Sequence, residues 1–161
     1  MILITGGERS GKSNFAVKLA ISKTKRAFIA TAEPFDDEMR ARIEKHKKDR
    51  EGLFDTFEEP VHLSTILPMT KDYDVCVIDC MTTWVGNLMY HDLNLKEEME
   101  GFLANLNGNE IIVSNEVGMG IIPVEKMTRM YIEILGKLNQ EIAEVADEVF
   151  FMVAGIPLKI K

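Results

Sequence analysis

The sequence predicts an α/β protein, a mostly parallel sheet with helices on both faces. Three observations carry this. Short apolar runs recur along the 161 residues and alternate with stretches long enough for helices. The runs are continuously apolar rather than alternating, as in strands buried on both sides. The first run leads into a glycine-rich loop, GGERSGKS at 6–13, and then into a helical stretch.

Residues 2–5 (ILIT) form the first predicted strand. Residues 12–23 have helical apolar spacing, with Phe15, Leu19 and Ile21 among the apolar positions. A second strand is predicted at 27–31 (AFIAT), then a strongly charged helix at 36–51 whose leading aspartates suit a helix N-terminus. Residues 52–56 read as a turn or linker. Pro60 opens a short helix toward Leu67, and Pro68 ends it. Residues 73–79 (YDVCVID) are the third strand, followed by helices at 82–90 and 96–106. A fourth strand at 109–114 (NEIIVS), a loop at 115–123, a long helix at 124–146 and a last strand at 149–154 complete the pattern. No repeat, low-complexity segment or linker divides the chain, so one catalytic domain over 1–161 is expected.

Composition excludes several classes. The formal charge of −7, from 26 acidic and 19 basic residues, argues against a nucleic-acid partner. No apolar run approaches the roughly 20 residues that span a membrane. The N-terminal apolar run enters the glycine loop directly, unlike a signal peptide. Cys76 and Cys80 sit four apart on one apparent strand, too distant to bridge. Core packing in a reducing, cytoplasmic setting is the expected role.

The loop fits G-x-x-x-x-G-K-[ST] and has the required context, strand before and helix after. Gly6, Gly7, Glu8, Arg9, Ser10 and Gly11 would turn backbone N–H groups around phosphate oxygens, at the positive end of the following helix. Lys12 would neutralise the distal phosphates, and the Ser13 hydroxyl would hold Mg²⁺. The fold is therefore expected to be P-loop NTPase-like, of RecA-like type. A partner acid is expected where a neighbouring buried strand ends. Asp79, closing DVCVID, is that candidate metal ligand, or else an Asp that caps the next helix.

The charged helix carries Glu38, Arg42, His46 and Arg50, each four residues from the next. Such a row is either a solvated face with an incidental histidine or a reactive one. In the second case His46 attacks a phosphorus atom while the arginines hold its oxygens. His62, at a helix start, and His91, in a loop beside Asp92, are weaker candidates.

Together the pieces resemble the bifunctional adenosylcobinamide kinase/adenosylcobinamide-phosphate guanylyltransferase family of cobalamin biosynthesis. The resemblance runs in order through ILITGGERSGKS, FIATAEPFDDEMRARIEKHKKDR, TFEEP, VIDCMTTWVGNLM, VSNEVGMGIIP, LGKLNQEIAEVADEV and VAGIPLKIK. The Walker loop is generic; RIEKH and SNEVGMGIIP are more specific. The resemblance implies phosphorylation of adenosylcobinamide, then transfer of GMP from GTP to the phosphate, with release of pyrophosphate. It implies a covalent guanylyl-histidine at His46. It implies nucleotide contacts by the loop 6–13, by Thr31, Ala32 and Glu33, by Lys47, Lys48, Asp49 and Arg50, and by Glu58 and Asp79. Glu58 is alternatively an acid capping the helix that follows Pro60. GTP and ATP are the implied nucleotides, Mg²⁺ the implied cofactor, and a homotrimer the implied assembly.

Asn115 and Glu116 either touch the corrinoid or metal, or merely accompany the turns at Gly118 and Gly120. The pair Asn139–Gln140 reads as helix packing or a subunit contact. Tyr131-Ile132-Glu133 replaces the Phe-Arg-Asp usual in relatives. Two rival readings stand beside the resemblance: a P-loop small-molecule kinase without guanylyl transfer, and a GTP-binding switch module.

Overall fold

Seven short strands close into one sheet. The structure, a computed structural model, describes the backbone of residues 1–161 and every side chain except those of Arg42 and Asp49. In chain order the elements are β1 (Ile2–Gly6), α1 (Lys12–Ala20), β2 (Arg26–Ala30), α2 (Asp37–Arg50), β3 (Asp55–Glu58) and α3 (Leu63–Ile66). There follow β4 (Val75–Asp79), α4 (Met81–Tyr90), α5 (Leu95–Ala104), β5 (Glu110–Val113), α6 (Lys126–Val145), β6 (Glu148–Val153) and β7 (Ile156–Lys159). The strand order is β3-β2-β4-β5-β1-β6-β7. Every pairing is parallel except the β6–β7 hairpin at one edge.

The pleat sends alternate residues of each strand to opposite faces. Leu3, Ile29, Cys76, Ile78 and Ile112 meet α4, α5 and α6 through Trp84, Phe102, Leu135 and Leu138. Ile4, Phe28, Val77, Ile111 and Met152 meet α1 through Ala16 and Ala20. The predicted class, α/β with helices on both faces, is what the chain forms.

Four local expectations need correction. The linker at 52–56 runs instead into an edge strand, β3, whose residues pair only with β2 and are mostly exposed. The short helix starts at Leu63, not Pro60, and Pro68 does not stop the chain turning. It sits in the first turn of a 3₁₀ segment, Leu67–Thr70, where its missing N–H has no bond to lose. Cys80 lies beyond its strand, at the N-cap of α4, and both cysteines are free thiols. The strand expected at 149–154 is not the last: the exposed strand β7 follows it. Elsewhere the capping logic holds. Asp36 is the N-cap of α2 and accepts from the Met39 N–H at 2.7 Å.

Among the described residues no helix is long and apolar enough to cross a membrane.

Candidate active site

The phosphate loop leaves β1 at the carboxyl edge of the sheet, where ligands of such sheets bind. Gly11 is the N-cap of α1 with φ +95, a conformation that favours glycine. The Lys12 ammonium donates to the Gly7 carbonyl at 2.6 Å, bridging the loop. Burial pushes the Lys12 pKa down; Glu8, Cys80 and Asp79 oppose this. An anion placed beside it would relieve that penalty.

Asp79 ends β4. Since β5 lies between β1 and β4, the acid stands two strands from the loop, about 9–10 Å along the sheet. It still approaches it: Ser13 and Asp79 line the same two cavities. Burial pushes the Asp79 carboxyl up, while the nearby Ser13 hydroxyl and the charges of Arg50, His46 and Lys12 pull it down. The Asp79–Cys80 peptide is cis.

Two cavities open side by side here. One, over the loop, is lined by residues 8–14 with His46, Asp79, Cys80, Val113 and Asn115. The other is a cleft beside α2, lined by Met39, Ile43, His46 and Arg50 of that helix together with Phe28, Ala30 and Glu58. Glu8, Ser13, His46, Asp79, Cys80 and Asn115 line both. The structure thus places His46 beside the loop and its acid, although 33 residues separate Ser13 from His46 in the chain.

Among the described residues of α2, the cleft is lined by Met39, Ile43, His46 and Arg50, so the expected row reaches it through His46 and Arg50 and not through Glu38. With 3.6 residues per turn, steps of four drift around the helix, whereas steps of four, three and four stay on one side. Glu38 is exposed and lines neither cavity. The side chains of Arg42 and Asp49 lie outside the described residues. Arg50 is buried, with its guanidinium 4.0 Å from the centre of the Phe28 ring.

The remaining predicted contacts divide. Ala32 lines the cleft. Lys47 and Lys48 line a groove on the outer side of α2, with Arg50 and Glu58. The Lys47 ammonium donates to Glu58 at 2.5 Å, and this hydrogen bond raises its pKa above the ordinary value. Glu58 lines both this groove and the cleft. It does not cap the following helix, whose N-cap has no side-chain hydrogen bond; Glu59 instead braces the turn before it, accepting from the Val61 and His62 N–H groups at 3.0 and 2.8 Å. Glu33 turns aside to His91 at 2.9 Å. Thr31 is fully buried and lines neither cavity. Its hydroxyl accepts from the Cys80 N–H at 2.8 Å and donates to the Cys80 carbonyl at 2.9 Å. That tie joins the ends of β2 and β4 beside Asp79. Arg9, at φ +55, is exposed on the loop.

Sequence reasoning passed over several supports. Asn87 donates to the Thr31 and Pro60 carbonyls at 2.7 and 2.9 Å, pinning the chain on both sides of β3 to α4. Asn139, expected in helix packing or a subunit contact, packs α6 onto the sheet by hydrogen-bonding Ser114 and Asn115 at the end of β5. Tyr131 donates its hydroxyl to the Thr82 carbonyl at 2.9 Å. No periodicity marks such contacts, because each joins distant segments.

The sequence pattern of one family, described as cobinamide kinase/cobinamide phosphate guanyltransferase, matches residues 2–160. The chain belongs to this family. Among curated proteins it is 40% identical over 166 residues to the bifunctional adenosylcobalamin biosynthesis protein CobP of Pseudomonas aeruginosa, covering 99% of this chain and 96% of that one. It is 37% identical to the bifunctional adenosylcobalamin biosynthesis protein CobU of Salmonella typhimurium and 35% to that of Escherichia coli. Both matches cover 100% of this chain and 99% of the relative. In fold it is similar to the flagellar accessory protein FlaH of Methanocaldococcus jannaschii, with a TM-score of 0.53 and 14% identity. That match covers 99% of this chain and 77% of the other.

Proposed function

We propose that this member of the cobinamide kinase/cobinamide phosphate guanyltransferase family phosphorylates adenosylcobinamide and then transfers GMP from GTP to the product. His46 would carry the GMP in between. One observation carries this reading: His46 lines both the phosphate-loop cavity and the neighbouring cleft, beside Asp79 and Ser13.

In the guanylyl step a ring nitrogen of His46 attacks the α-phosphorus of GTP. The N–P bond forms as the bond to the α,β-bridging oxygen breaks, and pyrophosphate leaves. Lys12 and the loop N–H groups would hold the departing phosphates. A phosphate oxygen of adenosylcobinamide phosphate then attacks the same phosphorus, breaks the N–P bond and frees the imidazole. In the kinase step the aminopropanol hydroxyl oxygen attacks the γ-phosphorus of GTP or ATP. A nucleoside diphosphate leaves and the hydroxyl proton is lost.

Mg²⁺ fits this site. Ser13 and Asp79 bring a hydroxyl and a carboxylate together, the hard oxygen donors that Mg²⁺ takes along with phosphate oxygens and water. Among the described residues no cluster of three or more His, Cys, Asp or Glu could hold a metal ion. When bound it would neutralise charge on the phosphates.

The reading extends to one catalytic domain over 1–161 and to a homotrimer. Ile121 and Val124, just before α6, are 96% and 97% exposed and offer apolar surface for such contacts; a monomer in sedimentation would refute that assembly.

The test is the intact mass of the protein after incubation with GTP and Mg²⁺. A gain of one GMP, acid-labile and missing in His46→Ala, is expected. No adduct despite bound GTP would leave a kinase or a binding module. An adduct persisting in His46→Ala would move the nucleophile elsewhere.

A further inference from the structure

Asn115 follows β5, and its main chain is fixed from two helices. Its N–H donates to Thr82 Oγ1 of α4 at 2.8 Å. Its carbonyl accepts from Asn139 Nδ2 of α6 at 3.0 Å. Asn139 Oδ1 accepts in turn from Ser114 Oγ at 2.6 Å. Tyr131 ties the same part of α4 to α6 through the Thr82 carbonyl. Asn139 is 6% exposed and Ser114 0%. Buried polar groups linked in this way rigidify what they touch, since each lost bond strands a partner away from water.

What this frame holds is a single side chain, that of Asn115, which lines both the phosphate cavity and the cleft. Its Nδ2 donates to a Glu8 carboxylate oxygen at 3.1 Å. The amide N–H therefore meets an anionic oxygen at the rim of the phosphate loop. It lies on the same wall as His46, Ser13 and Asp79, and no step described above uses it.

We propose that Asn115 Nδ2 donates to a non-bridging oxygen of the terminal phosphate of the bound nucleoside triphosphate, and that Asn139 and Ser114 are positioning residues that hold it there. The proposal rests on the reading of the loop at 6–13 as a triphosphate site. A triphosphate gains this bond and a diphosphate does not, so the site distinguishes substrate from the diphosphate product of the kinase step.

The test is calorimetric binding of GTP and of GDP with Mg²⁺, in a His46→Ala parent that forms no adduct. Asn115→Ala is expected to weaken GTP about ten- to a hundredfold and GDP by less than about twofold, the size of a hydrogen bond to a charged group. Asn139→Ala and Ser114→Ala are expected to show a smaller loss with the same selectivity for triphosphate. A merely structural role would weaken GTP and GDP in parallel. Parallel weakening, or an unchanged GTP-to-GDP ratio in Asn115→Ala, overturns the proposal. Should Asn139→Ala fail to fold, Ser114→Ala removes only a hydroxyl and decides the positioning role. Failure of the parent to bind GTP refutes the nucleotide site and this contact with it. Normal GTP binding without adduct formation in the native chain refutes guanylyl transfer alone.

Discussion

Gly6 opens the phosphate-loop motif, yet its environment assigns it to the sheet. It is the last residue of β1, in register with Met152 of β6, and its φ is +144. A Cβ at this position would stand 2.6 Å from the Met152 carbonyl oxygen and 3.1 Å from the Met152 nitrogen. Both are backbone atoms, so no side-chain rotation relieves the contact. Relief requires moving β6 from β1, and the two pair over all five residues of β1. Gly6→Ala therefore combines two costs. The backbone strain of a side chain at this φ is about 1–3 kcal/mol. Overpacking against a fixed neighbour adds about 1–3 kcal/mol. For a chain of this size each kcal/mol lowers Tm by roughly 2–4 °C, so a fall of roughly 5–20 °C is expected. Gly7→Ala is the control: nothing lies within 4 Å of its Cβ position, and a change of at most about 1 kcal/mol is expected. Thermal unfolding followed by circular dichroism, without nucleotide, measures both. A Gly6→Ala protein melting within about 2 °C of native would refute the reasoning, as would a Gly7→Ala protein melting equally low.

Asp79→Asn separates stability from chemistry. Burial raises the Asp79 pKa, so the folded chain binds that proton more tightly than the unfolded chain does. The associated stability is fully present below the unfolded value, about 3.9, and is lost as pH rises through the folded value. Without metal or nucleotide, Asp79→Asn is expected to melt at or above native at pH 7, the gap closing toward about pH 4. A variant melting below native at pH 7 would contradict this. With GTP and Mg²⁺ its rate of adduct formation is expected to fall by about 10²-fold or more, measured by intact mass over time. Thr31→Val would strip both hydrogen bonds from the Cys80 backbone. A loss of about 1–3 kcal/mol is expected, largely recovered by Thr31→Ser; an unchanged melting temperature would show that the tie is dispensable.

Much of this protein was legible in local pattern. Strands buried on both faces must be apolar throughout, so β1, β2, β4, β5 and β6 stand out of the sequence. The loop at 6–13 announces itself because glycine, lysine and serine are each demanded by phosphate geometry at a set spacing. His46 was named from the segment RIEKH. The strands β3 and β7 were not visible because neither has a buried face to impose a pattern. β3 is charged and held only by pairing with β2, and β7 is exposed along its length.

Tertiary structure alone decided the rest. Spacing along a helix placed His46 in a row with Glu38, but which side faces the cleft depends on how α2 packs, and that side carries Met39 and Ile43. Strand order is not written in any one strand. Only the assembled sheet inserts β5 between β1 and β4, and so brings Asn115 between the phosphate loop and Asp79. The hydrogen bonds from Thr31 to Cys80, from Asn87 to Thr31 and from Asn139 to Asn115 span 24 to 56 residues of chain. A sequence read by neighbours reveals period and motif. Contacts across such separations exist only once the sheet has closed, because their partners share no local pattern.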